Sequence, residues 1–147
     1  RLIRRQRQMC IRDRGIGCDI IYLPRIRQII QRDNKLKRLT AISQKIMHPI
    51  EYKEYNNLLL LQDRELLVKY FGSVWCIKEA IYKSMTFKEQ QKTPFFQMCK
   101  TYYKINDPQQ NNRPILINQN SNNTIKYHLS LSHDTEYIAS YLIREKL

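Results

Sequence analysis

The spacing of hydrophobic residues along the chain changes close to Pro94. Before it, apolar residues mostly recur three or four positions apart, which is the period of an amphipathic helix. Beyond it, they fall into short runs rich in β-branched and aromatic residues, which are typical of strands. The pattern predicts an α+β fold in one domain, with a long helix laid against a small antiparallel sheet.

The first predicted element is a strand over residues 15 to 23, which opens with two glycines and holds one acid, Asp19, among apolar neighbours. Pro24 suits the first position of a helix, and isoleucines follow it at helical spacing. A short helix is therefore predicted over residues 24 to 31. Less regular helical segments are predicted over residues 36 to 46 and 52 to 60.

The clearest helix is predicted over residues 63 to 85, and its apolar stripe is broad enough for the helix to be nearly buried. After Pro94, strands are predicted over four segments, joined by polar turns rich in Asn and Gln. The stripe consists of Leu66, Leu67, Tyr70, Phe71, Val74, Ile77, Ile81 and Met85. The four predicted strands are residues 98 to 105, 114 to 117, 125 to 132 and 137 to 143.

Length and composition narrow the class of protein. With 147 residues, of which 42% are hydrophobic, the chain suits one compact domain with a real core. Its longest apolar run is Leu58 to Leu61, far short of the roughly 20 residues that a membrane-spanning helix needs. The four cysteines form no C-x-x-C pair, which favours free thiols in a reducing compartment over a zinc or redox motif.

The chain carries a net charge of +13, and most of that excess lies near its beginning. Residues 1 to 38 hold twelve basic and three acidic residues, a net of +9. Such a basic surface is compatible with nucleic-acid binding, because Lys and Arg neutralise phosphates. A basic nucleic-acid-binding domain is therefore the alternative function to test against any enzyme hypothesis.

Residues 1 to 14 are predicted to form a basic tail outside the folded domain, which spans residues 15 to 147. The tail holds six Arg and one Asp, a net of +5, and shows no apolar periodicity. Three origins are open: an organelle-targeting remnant, a nucleic-acid arm, or a non-native segment, since residues 8 to 14 resemble a translated sequencing adaptor.

Three charged residues are candidates for chemistry. Asp19 lies within a predicted apolar strand, where an unpaired carboxylate is costly unless a cation or metal compensates it. Glu79 and Lys83 are four residues apart on the long predicted helix and therefore share one face. Two carboxylates beside cations suit a Mg²⁺ site that binds phosphate. The alternative is that Glu79 and Lys83 form an ordinary surface pair.

The order of three motifs adds context. The chain reads Gly15-Ile-Gly-Cys-Asp19-Ile, then Trp75-Cys-Ile-Lys78-Glu79-Ala-Ile-Tyr-Lys83, then Ser130-Leu-Ser-His133. In this order and at these distances, the motifs resemble those of the 4'-phosphopantetheinyl transferase superfamily, of the small holo-acyl-carrier-protein synthase type. The resemblance spans residues 15 to 147. Arg113-Pro114 adds a weaker match, and Trp75 and Tyr82 resemble fungal mitochondrial members more than bacterial ones.

The resemblance implies a transferase that moves the 4'-phosphopantetheine arm of coenzyme A onto a serine of an apo acyl carrier protein and releases 3',5'-ADP. It implies that Asp19 and Glu79 hold Mg²⁺, with a metal-bound water or one of the two carboxylates as the base. The implied catalytic residues are Asp19, Glu79 and Lys83, and the implied coenzyme A contacts are Lys78, Lys83, Arg113 and His133.

The resemblance also implies partners and a location. Acyl carrier proteins are acidic, and Arg25 and Arg27 are the implied docking residues for the carrier. A homotrimer with three sites at subunit interfaces is implied, in the mitochondrial matrix or the cytoplasm, with no nucleic-acid or membrane partner. The implied role is in fatty acid biosynthesis.

The chain departs from the family pattern at several positions. Val74 stands where bacterial members usually carry a basic residue, and Tyr22 stands where an acid often follows the metal aspartate. The segment from Met85 to Lys88 replaces a Gly-Thr-Gly loop. These changes leave open a catalytically impaired member of the same fold.

Overall fold

The computed structural model describes residues 13 to 33, 35 to 121 and 123 to 147. The predicted tail lies almost entirely outside these residues, as does Cys10. The described part is an α+β unit of six helices and five strands, which confirms the predicted fold class. The helices are α1 (Leu23–Arg32), α2 (Lys37–Ile46), α3 (Pro49–Leu60), α4 (Arg64–Ser84), α5 (Phe87–Lys92) and α6 (Phe95–Thr101).

The strands form two small antiparallel sheets. Three strands pair in the order β1, β5, β4, so the central strand is the last one in the chain. The other sheet is a hairpin of β2 and β3. The strands are β1 (Asp13–Tyr22), β2 (Tyr102–Asp107), β3 (Arg113–Asn118), β4 (Ile125–Asp134) and β5 (Tyr137–Lys146).

The long helix α4 begins at the N-cap Asp63, whose carboxylate accepts a hydrogen bond from the Leu66 amide at 3.0 Å. It lies across β1 and β5, and both of its halves contribute to the core through residues such as Phe71 and Ile81. The predicted helix over residues 63 to 85 is thus confirmed, and its stripe is buried or half-buried except at Leu66, which is exposed. None of the described helices is long and apolar enough to cross a membrane.

Two glycines bring β1 unusually close to α4. A Cβ atom added to Gly15 would lie 2.0 Å from the Ser84 carbonyl oxygen, and one added to Gly17 would lie 1.8 Å from the Ala80 carbonyl oxygen. Any side chain at either position would overlap helix backbone. The strand and the helix are therefore in direct backbone contact beside Asp19, two residues beyond Gly17.

One predicted strand begins too early. Residues 95 to 101 form helix α6, and the strand predicted from residue 98 starts only at Tyr102. Pro94 caps α6, and the buried Met98 and Cys99 belong to the core-facing side of that helix. The short helix α5 was not predicted; its capping box, in which Thr86 and Glu89 each bond the other's backbone amide, follows α4 directly.

Candidate active site

Asp19 and Lys83 meet where β1 crosses the second half of α4. Lys83 Nζ donates a hydrogen bond to Asp19 Oδ1 at 2.7 Å, and the Asp19 side chain is only 13% exposed. This ion pair raises the pKa of Lys83 above its ordinary value, chiefly through the hydrogen bond. The structure therefore joins two of the predicted catalytic residues from distant parts of the sequence.

Glu79 lies one turn before Lys83 on the same helix face and is partly buried. Burial raises the pKa of Glu79, and the negative charge of Asp19 raises it further, while Lys83 acts in the opposite direction. The two carboxylates thus share one electrostatic environment. The predicted grouping of Asp19, Glu79 and Lys83 is present in the fold.

This donor set fits a magnesium ion. Mg²⁺ is usually held in proteins by one or two carboxylates, with water and phosphate oxygens in its remaining positions. Asp19 and Glu79 supply two carboxylates from adjacent elements, and a cation near both would counter the burial and the repulsion from Asp19 that together raise the pKa of Glu79. Among the described residues, no cluster of three or more His, Cys, Asp and Glu side chains is arranged to hold a metal.

A buried polar contact lies directly behind Asp19. The Cys76 thiol is 3.3 Å from the Asp19 carbonyl oxygen and 3.2 Å from Ser140 Oγ. The Ser140 hydroxyl in turn donates a hydrogen bond to the Cys76 carbonyl oxygen at 2.8 Å. Burial raises the pKa of Cys76 to about 11, so the thiol keeps its proton. The sequence predicts Cys76 only as a free thiol, and no sequence signal singles out Ser140.

Lys78 does not belong to this group, and the prediction that it contacts coenzyme A is wrong for this fold. Its side chain is fully buried, and its Nζ lies 2.7 Å from Glu51 Oε2. It also donates hydrogen bonds to the carbonyl oxygens of Cys99 and Tyr102. One residue along a helix turns the side chain by about 100°, which directs Lys78 into the core while Glu79 faces the site.

Glu51 is the partner that sequence reasoning missed. Besides Lys78, its carboxylate accepts hydrogen bonds from the backbone amides of His48 and Lys104, each at 3.0 Å. The Glu51 and Lys78 pair therefore ties α3, α4, α6 and β2 together. The N3 position of Glu51 after His48-Pro49 is a capping signal in the sequence, but its pairing with Lys78 depends on tertiary structure.

The two predicted docking arginines differ in their surroundings. Arg25 is exposed, and no ion pair or hydrogen bond of its side chain occurs within the described residues. Arg27 forms two hydrogen bonds with Glu65, at 2.6 and 3.1 Å, and lies 4.0 Å from Glu136. Its charge is largely neutralised by these carboxylates, so Arg25 is the better candidate for an acidic partner.

Arg113 and His133 stand apart from the carboxylates. Arg113 begins β3 and borders a groove of about 630 Å³ that Lys126 and His128 of β4 also line. His133 lies on β4, separated from β1 by the central strand β5, and its register partner is Ile138. Within the described chain, neither residue forms an ion pair or hydrogen bond with Asp19, Glu79 or Lys83.

The positions that depart from the family pattern have structural partners of their own. Tyr22 packs against Tyr137, with ring centroids 5.1 Å apart, and Val74 is buried in the core. The segment after α4 is held by Arg144, which forms hydrogen bonds of 2.6 and 2.9 Å with Glu89 and one of 3.0 Å with the Ser84 carbonyl. The segment that replaces the Gly-Thr-Gly loop is thus anchored to the sheet.

Known proteins share both the sequence pattern and the fold. The mitochondrial holo-[acyl-carrier-protein] synthases of Saccharomyces cerevisiae and Candida glabrata are each 26% identical to this chain; the alignments cover 84% and 86% of this chain and 87% and 91% of theirs. A holo-(acyl-carrier-protein) synthase from Bacillus anthracis, solved in complex with CoA (3',5'-ADP), superimposes with a TM-score of 0.62 at 20% identity, covering 92% of this chain and 99% of its own.

A model of the 4'-phosphopantetheinyl transferase superfamily matches residues 15 to 142. That match includes both elements that bring Asp19 and Lys83 together. It covers nearly the whole folded part, and for this reason we conclude that the chain belongs to the 4'-phosphopantetheinyl transferase superfamily.

Proposed function

We propose that this chain is a holo-acyl-carrier-protein synthase, which transfers the 4'-phosphopantetheine arm of coenzyme A to a serine of an apo acyl carrier protein. The observation that carries the proposal is the contact of Asp19 with Lys83 beside Glu79. Superfamily membership supports the reaction class, and the names of the fungal relatives support the acceptor. The product, the modified carrier protein, is used in fatty acid biosynthesis.

In the proposed reaction, the serine oxygen attacks the phosphorus next to the pantetheine arm, and the bridging bond of the pyrophosphate breaks. The leaving group is 3',5'-ADP, which departs with the bonding electrons, so negative charge grows on its phosphate. Lys83, which contacts Asp19, would neutralise or protonate that phosphate. Asp19 and Glu79 would hold Mg²⁺, which supplies charge neutralisation at the pyrophosphate when bound. One of these carboxylates or a water accepts the serine proton.

The proposed docking surface for the carrier is the exposed side of α1. Arg25 lies six residues after Asp19, on the helix that directly follows β1, and we expect a carrier held there to present its serine to the carboxylates. Exposed charges of this kind mainly raise the rate of association. Arg27 would contribute less to docking than expected from the sequence, because the carboxylates of Glu65 and Glu136 already neutralise most of its positive charge.

We further propose that the enzyme assembles as a homotrimer. The side of the three-stranded sheet that faces away from α4 is apolar and exposed: Ile16 and Ile20 are each 64% exposed, and Tyr141 is 56% exposed. Contiguous apolar surface of this kind marks an interaction site. Since Arg113 and His133 do not join the carboxylates within one chain, a neighbouring copy would bring them to the coenzyme A phosphates. The fungal relatives' names favour the mitochondrial matrix as the location.

The test is a transfer assay. The full chain is incubated with Mg²⁺, coenzyme A and apo acyl carrier protein, and the carrier is weighed by mass spectrometry. We expect a gain equal to one phosphopantetheine group, abolished in Asp19→Ala and Glu79→Ala but retained in Glu54→Ala, an exposed carboxylate on α3. No gain with any of several carriers would refute the proposal.

A further inference from the structure

The contact behind Asp19 joins three elements at one buried point. Asp19 on β1 and Ser140 on β5 are register partners, and Cys76 on α4 lies against both. Cys76 and Ser140 have no exposed surface. The Ser140 hydroxyl donates its proton to the Cys76 carbonyl oxygen, and the one thiol proton of Cys76 is within reach of both the Asp19 carbonyl oxygen and Ser140 Oγ. Both buried groups are therefore hydrogen-bonded, which is the condition under which buried polar groups stabilise one arrangement.

The positions of Cys76, Glu79 and Lys83 on α4 link this contact to the candidate site. Cys76, Glu79 and Lys83 are spaced by three and then four residues, so they lie on one face of α4 in consecutive turns. Asp19 is held at both ends of that row, because its carbonyl oxygen contacts Cys76 and its carboxylate contacts Lys83. Glu79 lies between the two contacts. The distance between the two carboxylates therefore depends on both of them.

Ser140 closes the arrangement from the other side. Its hydroxyl donates to the Cys76 carbonyl at 2.8 Å, and its oxygen lies 3.2 Å from the thiol, so β5 is attached to the same turn of α4 as β1. Close backbone approach at Gly17 alone would still allow the strand to slide along the helix. The directional bonds of Cys76 and Ser140 oppose such sliding.

We propose that Cys76 and Ser140 are positioning residues that hold the Asp19 and Glu79 carboxylates at the separation required to bind one divalent cation. This inference rests on the proposed function for the use of that cation. Neither residue touches a substrate. Each acts on the backbone of Asp19 and not on its carboxylate. Groups that lie behind a metal ligand in this way orient the ligand and thereby set the affinity for the metal.

The chain offers a matched control. Cys99 on α6 is as buried as Cys76, and its thiol has no hydrogen bond to a described residue. Unlike Cys76, it lies on a different helix from Glu79 and has no hydrogen bond to Asp19 or Ser140. Cys76→Ala and Cys99→Ala remove the same atoms from equally buried places. A purely structural role predicts the same effect of both substitutions on metal binding.

The experiment titrates the full chain with Mn²⁺ in the absence of coenzyme A and measures affinity by water-proton relaxation. We expect Cys76→Ala and Ser140→Ala to weaken Mn²⁺ binding about tenfold, which is the usual effect of removing a group that orients a ligand. Cys76→Ser, which keeps a donor at the same place, should restore most of the affinity. Cys99→Ala should bind Mn²⁺ as the unmodified chain does, even where urea denaturation shows it to be less stable.

Equal Mn²⁺ affinities of Cys76→Ala and Cys99→Ala would overturn the inference, as would an unmodified chain that binds no Mn²⁺. If Cys76→Ala does not fold, Ser140→Ala against Cys99→Ala gives the same comparison. The proposed function fails separately: Mn²⁺ binding that depends on Cys76, in a chain that transfers no phosphopantetheine, would support the positioning role and refute the reaction.

Discussion

At the scale of single residues, the two lysines of the α4 motif have different environments. Lys78 and Lys83 are five residues apart, which places their side chains about 140° apart around the helix. Lys78 is enclosed with Glu51, whereas the Lys83 side chain is 51% exposed and reaches Asp19. The first lysine contributes to stability, and the second contributes to the candidate site.

Substitution of each lysine by methionine should separate these contributions. Lys78→Met leaves the Glu51 carboxylate buried without its cation, so we expect it to lower the free energy of unfolding by about 3 to 5 kcal/mol. Lys83→Met removes an exposed ion pair and should cost at most about 1 kcal/mol, yet it should reduce phosphopantetheine transfer severely. Urea denaturation and the mass-spectrometric assay measure the two effects. A Lys78→Met protein as stable as the unmodified chain would contradict the assignment.

Glu89 gives a pH-dependent contribution to stability. Its hydrogen bonds with Arg144 hold the pKa of Glu89 down to about 2, below the ordinary value of 4.5. A depressed pKa means that the contribution is present above about pH 4.5 and is lost as the pH falls towards 2. We expect this contribution to be at most about 3 kcal/mol.

Urea denaturation between pH 6 and pH 2.5 tests this expectation. The unmodified chain should lose stability more steeply on acidification than Glu89→Gln, whose neutral amide cannot titrate. Glu54→Gln, at an exposed carboxylate that forms no ion pair or hydrogen bond with a described residue, is the control and should follow the unmodified chain. Parallel curves for the unmodified chain and Glu89→Gln would contradict the assignment.

The residue scale also shows what the sequence could predict. The resemblance of the three motifs to the superfamily implied that Asp19, Glu79 and Lys83 would meet, whereas spacing alone placed only Glu79 and Lys83 on one helix face. It could not indicate that Lys78 is buried, since which face of α4 is covered depends on α3 and α6. The contacts of Glu51 with Lys78 and of Ser140 with Cys76 join residues far apart in the chain and have no local signal.

At the scale of elements, the contact of β1 with α4 requires glycine. We expect Gly17→Ala to push the strand from the helix, because its Cβ would lie 1.8 Å from a backbone oxygen that cannot move alone. Overpacking of this kind costs about 1 to 3 kcal/mol or more. Transfer activity should fall with it, because Asp19 moves away from Glu79 and Lys83.

Gly72→Ala is the matched control for this prediction. The added Cβ would meet the end of the Leu23 side chain at 2.7 Å, and that flexible side chain can adjust. Alanine also favours a helix over glycine by about 1 kcal/mol. We therefore expect Gly72→Ala to unfold near the urea midpoint of the unmodified chain and to keep its activity. If Gly17→Ala behaves in the same way, the close contact is not needed.

The sequence predicted the long helix α4 correctly and missed the short helix α6, because the apolar pattern repeats over many more residues in α4. The twenty-one residues of α4 carry enough repeats to define a helix. The seven residues of α6 carry too few, and the β-branched and aromatic residues that follow them favoured a strand over the whole segment. Pro94 is the one signal of a helix start there, and it competes with the reading of proline as a break between elements.

At the scale of the whole molecule, the exposed side of the three-stranded sheet is the surface through which we propose that copies assemble. Ile16 lies opposite Ile143, and Cys18 opposite Tyr141, so the apolar surface is continuous across two strands. We expect Ile16→Lys and Tyr141→Lys to convert the proposed trimer into monomers, as measured by light scattering. Leu61→Lys, at an equally exposed leucine beyond α3, should leave the assembly intact. An unmodified chain that is already monomeric would contradict the trimer.

The net charge also divides at this scale. Residues 1 to 14 account for +5 of the +13, which leaves 13 − 5 = +8 on the remainder. In that remainder, Lys78, Arg27 and Arg144 are each paired with a carboxylate. The cations left to attract an acidic carrier or coenzyme A are therefore fewer than the composition indicates, and Arg25 and Arg113 are prominent among them.

The pairing of β1 with β5 determines when the site can assemble during synthesis, because these are the first and last of the described strands. Asp19 and its partner Ser140 are separated by 121 residues. At about 5 to 20 residues per second, Ser140 is made roughly 6 to 24 s after Asp19. A growing chain on the ribosome thus carries Asp19, Glu79 and Lys83 well before it has the strand that fixes them in place. We therefore expect transfer activity only after β5 has emerged, and a chain interrupted before β5 should be inactive although it contains all three residues.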